Sequence, residues 1–285
     1  MKKNKIFTNG IFNLYMSMVK KSDYNYISPK EFNLILFNAH DIYRVGQHDC
    51  SELLRILLEH ISKENNRIKI KAPYEELVYK SNNKSDLALE YHNFFLKKEN
   101  SFIVDIFYTQ LENIITCACG YDSFSFQKNL DIPIYLPINN REYELISLIK
   151  DNFSSIINDW KEECFSCKKN NQKHFKKVKF AMLNEIIIFS IQRFDYINNL
   201  KNNSYIIFDE FINMKDLIDN DLEDLQFKFK LFATIHHIGS IDTGHYYVII
   251  RKDKEWITFN DSVVEENNNM NFKSNTVCFL VYQKI

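Results

Sequence analysis

Glycine and proline are scarce in this sequence, which has only five glycines and four prolines among 285 residues. The glycine content is far below the usual level of about 7%, and the hydrophobic fraction of 45% and aromatic fraction of 15% exclude a disordered chain. Charge of one sign is also lacking, because 36 Lys and Arg residues face 37 Asp and Glu residues. The net charge of −1 creates no field that attracts nucleic acid or an anionic membrane surface. We therefore expect no nucleic-acid partner and no membrane partner.

Long apolar runs are lacking as well, and no cleavable leader is predicted. The sequence has no run of about 18 apolar residues, so no membrane span is predicted. The N-terminal segment has basic residues before an apolar stretch, but Asn9, Asn13 and Ser17 interrupt that stretch and no small-residue cleavage site follows. Six cysteines in a chain this long do not form a disulfide scaffold. We therefore expect an intracellular protein of the cytoplasm, the nucleus or both.

Helices precede strands along this chain, whose 45% hydrophobic content is typical of one large or two small globular domains. Helical spacing occurs in "SPKEFNLILFNAHD", "DCSELLRILLEHISKE", "PYEELVYK" and "DLALEYHNFFLKK", the second with Asp49 as N-cap and Glu52 three residues later. From about Ile103 the pattern indicates strands, interrupted by a helix in "EYELISLIKDNF" and by a polar loop in "EENNNMNFKSN". Helices followed by mainly antiparallel strands predict an α+β fold.

Four of the six cysteines lie in two close pairs. Cys117 and Cys119 are separated by one residue in "TCACGYDS", and Cys164 and Cys167 by two residues in "EECFSCKK". Two such pairs can close one tetrahedral site, because thiolates bind zinc and four protein ligands leave no position open for water. The sequence therefore predicts one structural zinc ion per chain. The alternative is four buried free cysteines.

One of the few glycines, Gly244, stands directly before His245 at the head of the predicted strand "GHYYVIIRK". Glycine lets another group approach the backbone closely, so this histidine could be held at a reactive centre. If the next strand, "EWITFND", pairs with this one, its end brings Asn260 and Asp261 back to His245. An amide or carboxylate bonded to one ring nitrogen orients a histidine as a general base. The pattern favours a Cys-His-Asn/Asp hydrolase over a histidine that only caps a strand.

These motifs resemble, in order, those of the ubiquitin-specific proteases, cysteine peptidases that cut after the C-terminal glycine of ubiquitin. "GQHDCSELL" looks like the family's Gln-Gln-Asp-Ala-x-Glu-Phe-Leu helix, and "CACG" and "CFSC" look like its zinc pairs. "NLDIPIYLPI" and "IIIFSIQRFDY" are similar to two of its strands, the second with Gln192 in place of Lys. "HHIGSIDTGHYYVII" and "EWITFNDSVV" resemble its His box, with Trp256 and Phe259 in place. The resemblance extends from about Pro29 to the end of the chain.

The resemblance implies a papain-like α+β fold of the ubiquitin-specific protease type, shaped like a hand, in one domain over 1–285. A shortened helical thumb would cover 1–102. Fingers with the zinc site, and part of the palm, would cover 103–182. The palm with the His box would cover 183–285.

The resemblance also implies roles for individual residues. His245 would be the general base and Asn260 its orienting partner, with Asp261 the next candidate for that role. Gln47 and Asp49 would face the tail of ubiquitin in a cleft between thumb and palm. The implied partners are ubiquitin or ubiquitinated proteins, and the implied reaction is hydrolysis of the bond that follows ubiquitin.

The nucleophile of the family is missing from its only candidate box, "GIFNLYMSMVKKS". One register places Met18 at the cysteine position and another places Leu14 there, and neither side chain can ionise to a thiolate. Cys50 lies in the thumb motif where the family has alanine, and we expect it to be a small buried residue. Cys278, in "TVCFLVYQ", is expected in the core.

Three explanations stay open at this point. The preferred one is a domain that recognises ubiquitin and its tail but does not cut. The alternative is an active cysteine-type deubiquitinase whose N-terminal cysteine box is missing from the gene model. A third explanation uses Cys50 as the nucleophile, and we disfavour it because this residue is not predicted to point at His245.

Overall fold

The computed structural model describes residues 5–19, 27–70, 73, 75–80, 84–139, 141–170, 172–218, 227–267 and 269–285. The helices are α1 (Ile6–Val19), α2 (Lys30–Ala39), α3 (Cys50–Glu64), α4 (Lys84–Leu96), α5 (Phe102–Phe107) and α6 (Leu145–Asn152), with 3-10 turns at Asp41–Arg44 and Lys215–Leu217. Within these described ranges, no helix has the length and apolar character needed to cross a membrane.

Helix α3 begins where the sequence predicts it. The carboxylate of Asp49 accepts a hydrogen bond from the backbone N–H of Ser51 at 2.7 Å, so a donor that the helix cannot pair is satisfied. At the other end, Glu64 accepts hydrogen bonds from the backbone N–H groups of Phe7 and Thr8, at 2.9 and 2.8 Å. The start of α1 therefore lies at the C-terminal end of α3. Their shared core contains the buried residues Phe7, Leu36, Tyr43, Ile61, Ile103 and Leu130.

Strands form most of the chain after α5. They are β1 (Thr109–Cys117), β2 (Asp122–Asn129), β3 (Ile132–Tyr135), β4 (Glu142–Glu144), β5 (Ser154–Trp160), β6 (Gln172–Met182), β7 (Ile186–Gln192), β8 (Phe194–Asp195), β9 (Leu200–Lys201), β10 (Tyr205–Ile207), β11 (Phe211–Asn213), β12 (Lys228–Gly239), β13 (Gly244–Lys252), β14 (Glu255–Asn260), β15 (Val263–Asn267), β16 (Lys273–Ser274) and β17 (Val277–Lys284).

Two sheets carry the features that matter for function. The finger sheet has the order β2-β1-β6-β5 and is antiparallel. The palm sheet has the order β15-β14-β13-β12-β17-β7-β3, with β11 beside β12, and only its β3–β7 pair is parallel. The main core joins the palm sheet to α6 and to the base of β6, and its fully buried members include Ile134, Ile149, Phe180, Phe189, Phe229, Leu231, Leu280 and Tyr282.

A polar contact holds α3 against the palm sheet. Arg55 donates two hydrogen bonds to Asp131, at 2.8 and 2.7 Å, and the hydroxyl of Ser190 donates to the same carboxylate at 2.5 Å. Bidentate pairs of this kind fix geometry as well as contributing free energy. This contact therefore sets the position of the second turn of α3 relative to β7.

Four local predictions are wrong. None of the described residues of "PYEELVYK" is helical, and Val78 is 76% exposed there, because a short helix without a packing partner is not stable in water. The strands begin at Thr109 and not near Ile103, because α5 comes first. Glu265–Asn267 and Lys273–Ser274 are not loop residues, because they pair with β14 and β10 in β15 and β16. Glu142–Glu144 are not helical, because they pair with β10 as β4. The predicted positions of α2, α3, α4, β13 and β14 are confirmed.

Candidate functional site

The tight turn between β12 and β13 positions the predicted histidine. Gly239 pairs with Gly244, and the backbone N–H of Ser240 donates to Thr243 at 2.8 Å, so His245 lies at the start of β13. A Cβ atom added to Gly244 would lie 1.9 Å from Nε2 of His237. Only glycine allows the His237 ring to come this close to the backbone, so at this position close approach, and not an unusual φ angle, requires glycine.

Strands β13 and β14 pair antiparallel and bring Asn260 back to His245. Nε2 of His245 lies 2.5 Å from Oδ1 of Asn260, and 3.9 Å from Oδ2 of Asp261. Because an amide oxygen can only accept, Nε2 carries the proton and Nδ1 is the basic nitrogen of the neutral ring. The side chain of His245 is 43% exposed and that of Asp261 is 81% exposed. Asn260 is therefore placed to orient the ring, and Asp261 stands further out.

The start of α3 lies across a cleft from this turn. Oε1 of Gln47 accepts a hydrogen bond from the backbone N–H of Gly244 at 2.7 Å. The hydroxyl of Tyr196 donates to the Asp49 carboxylate at 3.0 Å. We call this groove the cleft, and its lining comprises Gln47, His48, Asp49, Glu52, Phe194, Tyr196, His237, Ile241 and Tyr246. Gln47 thus meets the strand that carries His245, and Asp49 lines the same cleft through its contact with Tyr196, although both lie far from these partners in sequence.

The four paired cysteines come together at one end of the finger sheet, which we call the fingertip. Their sulfur atoms all lie within 4.8 Å of one another, with Cys117 and Cys167 at 4.0 Å and Cys119 and Cys164 at 3.7 Å. Four sulfurs around an ion at about 2.3 Å would be separated by about 3.8 Å in a regular tetrahedron. Gly120 allows the narrow turn after the first pair, because its φ is +87°. These four residues could hold a metal ion.

The motif order and the geometry both point to one family, and a comparison with sequence families decides it. The sequence model described as "Ubiquitin carboxyl-terminal hydrolase" matches residues 2–282. The chain belongs to the ubiquitin carboxyl-terminal hydrolase family. It is 24% identical over 292 residues to ubiquitin carboxyl-terminal hydrolase 4 of Saccharomyces cerevisiae, covering 90% of this chain and 31% of that protein.

It is also 27% identical over 274 residues to ubiquitin carboxyl-terminal hydrolase 2 of Homo sapiens, covering 90% of this chain and 44% of that protein. The chain thus spans less than half the length of either relative. Among solved structures it is similar to the SAGA DUB module of Ubp8, Sgf11, Sus1 and Sgf73 bound to monoubiquitin, with a TM-score of 0.72 and 18% identity, covering 98% of this chain and 59% of that chain. The predicted α+β, papain-like fold of the ubiquitin-specific protease type is confirmed.

Two residues that the sequence analysis did not assign shape the cleft of this family member. Burial raises the pKa of Tyr196, and the charge of Asp49 raises it further, so its hydroxyl stays a donor. His237 packs against Tyr246 and Phe194, with ring centroids at 4.6 and 5.1 Å. Burial lowers the pKa of His237 to about 4, so this ring is neutral. Both residues were within quoted motifs, but only the approach of α3 to β12 reveals their positions.

The two cysteines outside the fingertip are not ionised. Cys50 packs with Tyr246 and Cys278, and burial raises the pKa of the Cys50 thiol. Burial likewise raises the pKa of Cys278 to about 11. Adjacent side chains of a strand point to opposite faces, so Cys50, which contacts Tyr246, lies on the other face from His245. Neither thiol has the exposure or the ionisation of a nucleophile.

The two registers of the candidate cysteine box both fall within α1. Leu14 lines a groove between α1 and the start of α2. Met18 lies near the C-terminal end of α1, and its side chain is 61% exposed. Neither residue is part of the cleft lining.

Proposed function

We propose that this chain recognises ubiquitin and its C-terminal tail in the cleft, and that as it stands it binds without hydrolysing. The observation that carries the proposal is the meeting of two polar pairs in a member of this family. Gln47 bonds the backbone of Gly244, and the next residue, His245, contacts Asn260. The two pairs join the helical side and the strand side of one groove.

Binding of the tail follows from the shape and polarity of the cleft. Its walls offer the carboxylates of Asp49 and Glu52, the amide of Gln47 and the hydroxyl of Tyr196. Polar groups of this kind suit the backbone N–H and C=O groups of an extended peptide. Gly244 leaves room for the ring of His237, which lines the groove, because a larger residue at 244 would collide with that ring. A tail that ends in glycines is narrow enough to enter such a groove.

His245 would be the general base of a thiol reaction, held by Asn260. The contact with Asn260 fixes the ring and leaves the second nitrogen to accept a proton. Asp261 is the reserve partner, at 3.9 Å. A base alone does not cleave a peptide bond in this way, because the attacking group is a thiolate.

The absence of a suitable thiol supports binding over catalysis. All six cysteines lie in the described part of the chain. Four are at the fingertip, and burial raises the pKa of the other two, the half-buried Cys50 and the buried Cys278. The candidates for the nucleophile position, Met18 and Leu14, have no ionisable group. In this proposal the family's recognition surface is kept while the chemistry is lost.

Zinc is the metal that we assign to the fingertip, one ion per chain. Four sulfur ligands with tetrahedral spacing are the donor set that zinc prefers in structural sites. The backbone N–H of Cys167 lowers the pKa of the Cys164 thiol to about 6, which favours the thiolate that a metal needs. The ion would tie the β1–β2 turn to the segment between β5 and β6.

The second candidate function is an active thiol hydrolase whose nucleophile lies on a segment outside this sequence. The retained His245–Asn260 contact favours it, since a pure binding module has no use for an oriented base. Reading the coding sequence upstream of Met1 for an in-frame Gly-Asn-Thr-Cys-like stretch separates the two. Finding that stretch would support the hydrolase.

Calorimetric titration with ubiquitin tests the proposal. We expect saturable binding of ubiquitin, and weaker binding of ubiquitin that lacks its last two glycines, because the cleft then stays empty. A fluorogenic ubiquitin substrate should show no turnover with this chain. Equal affinity for both forms of ubiquitin would contradict recognition of the tail, and no binding of either would leave only a zinc-stabilised scaffold.

A further inference from the structure

The outer strand of the palm sheet, β15, is bare on both faces. It pairs with β14 in the register Asn260 to Val263 and Phe259 to Val264, and no strand covers its other edge in the described part of the chain. Val263 is 49% exposed and Val264 is 59% exposed, and adjacent residues of a strand point to opposite faces. Burial of side chains therefore contributes little to holding this strand.

An uncovered edge with exposed β-branched residues readily accepts another strand. The free N–H and C=O groups of the edge bind the backbone of the added segment, and the alternate side chains select its sequence. The exposed valines supply an apolar contact on each face. The edge of β15 is thus a ready surface for an extended peptide.

The charge of the edge selects the kind of peptide. Asp261, Glu265 and Glu266 are exposed, and the sequence has no Lys or Arg between Asp261 and Phe272. Glu265 and Glu266 form no ion pair among the described residues. A segment rich in lysine complements this charge, while an acidic segment is repelled.

The edge lies beside the cleft residues in the same sheet. An added strand would be three strand spacings, or about 14 Å, from β13, which carries His245. About four residues of extended chain cover this distance. A segment on β15 can therefore belong to the same chain as a group that is held beside His245.

We propose that β15 binds an extended, lysine-rich segment of the protein to which ubiquitin is attached, as an added strand. The identity of the bound protein rests on the proposed function, but the contact itself needs neither ubiquitin nor a thiol. It would give the domain a preference among ubiquitinated proteins that the cleft alone does not supply.

Fluorescence anisotropy with the whole chain tests this. Two labelled peptides of alternating valine are compared, one with lysine and one with glutamate at the intervening positions. We expect the lysine peptide to bind and the glutamate peptide not to bind. The double variant Glu265→Lys and Glu266→Lys should weaken the lysine peptide about tenfold or more. The matched control, Glu31→Lys and Asp216→Lys, makes the same charge change at exposed sites elsewhere and should have little effect.

Methylation of peptide nitrogens separates strand addition from simple attraction of charge. Two lysine peptides carry N-methyl groups at alternate residues, one in each register. Strand addition predicts that one register loses binding, because its N–H groups face β15. Equal binding by both methylated forms and the parent, or equal binding by the lysine and glutamate peptides, would overturn the proposal.

Ubiquitin titration of the same variants keeps the two proposals apart. The double variant should bind free ubiquitin as the unmodified chain does. Peptide binding without ubiquitin binding would contradict the proposed function and leave the edge site standing. Ubiquitin binding without peptide binding would contradict the edge site and leave the proposed function standing. The glutamates would then serve only to protect the edge from self-association.

Discussion

The fingertip and the cleft divide the reactive groups of this molecule between them. At the fingertip, four sulfurs lie within 4.8 Å, and a backbone N–H lowers the pKa of Cys164 to about 6. At the start of β13, His245 is oriented by Asn260, but Cys50 lies on the other face of that strand, and burial raises the pKa of its thiol. Cys164, the thiol whose pKa is lowered, thus belongs to a different sheet region from the base.

The local environment of each cysteine therefore decides whether its thiol is a metal ligand or a core side chain. Backbone donors and neighbouring sulfurs make a ligand set at the fingertip, whereas an apolar environment makes Cys50 and Cys278 part of the core. Variants at the fingertip and around the cleft should separate these two environments.

Removal of the metal from the fingertip should have the largest effect. A structural zinc site contributes on the order of 10 kcal/mol to folding, so chelation or Cys164→Ser should unfold the end of the finger sheet. Metal analysis of the purified chain should find about one zinc per chain, and hydrogen exchange should show loss of protection in β1 and β6. Cys50→Ala is the matched control and should keep the metal. A metal-free chain with a protected finger sheet would contradict the site.

Acidification should destabilise the β12–β13 hairpin through His236. His236 lies between the hydroxyls of Thr234 and Thr276, and burial, followed by the charge of Arg193, lowers its pKa to about 4. An unfolded histidine has a pKa of about 6.5, so the folded state binds fewer protons than the unfolded state between about pH 4 and pH 6.5. The contribution is complete above pH 6.5 and is lost as the pH falls to about 4, in total about 3 kcal/mol.

The variant His236→Gln isolates this contribution. Urea unfolding should give a large deficit in the free energy of unfolding at pH 7, which shrinks by about 2 to 3 kcal/mol towards pH 4. If the free energies of unfolding of the variant and the unmodified chain changed in parallel between pH 7 and pH 4, His236 would not be held neutral in the folded protein.

Replacing Gly244 by alanine should displace His237, which lines the cleft. The new Cβ would overlap the ring of His237, so the turn must shift, at a cost of about 2 kcal/mol. We expect weaker ubiquitin binding together with a lower melting temperature. Asp242→Ala, an exchange in the same turn at an exposed residue, is the control and should change neither. An unchanged affinity in Gly244→Ala would separate this turn from recognition.

Gln47→Ala should have a smaller effect that depends on the tail. The variant loses one hydrogen bond to the backbone of Gly244, which is worth about 1 kcal/mol. Calorimetry should show a loss of affinity for ubiquitin but none for ubiquitin without its last two glycines. An equal loss for both would place Gln47 outside the tail site.

Much of this arrangement could be predicted from the sequence, where local signals were strong. The N-cap at Asp49 predicted the start of α3, the two strand segments around His245 and Asn260 predicted β13 and β14, and the two cysteine pairs predicted the fingertip cluster. The pairing of Asn260 with His245 followed from the length of one hairpin. Each of these depends on contacts that are close in sequence or on a familiar motif.

The remainder depends on contacts between distant segments. "PYEELVYK" has helical spacing but nothing to pack against, and β15 reads as a polar loop because pairing with β14, not burial, makes it a strand. The roles of Tyr196 and His237 arise only where α3 meets the palm sheet. The raised pKa of Cys50 has the same origin, since burial against Tyr246 causes it.

Labelling with a ubiquitin probe that carries a C-terminal electrophile tests directly whether this chain binds ubiquitin without a nucleophilic thiol. We predict that this chain binds the probe without forming a covalent adduct, since Cys50 is half-buried with a raised pKa and the other thiols lie at the fingertip or in the core. Cys50→Ala should behave identically. A covalent adduct that disappears in Cys50→Ala would contradict the account and make this chain a hydrolase with an unexpected nucleophile.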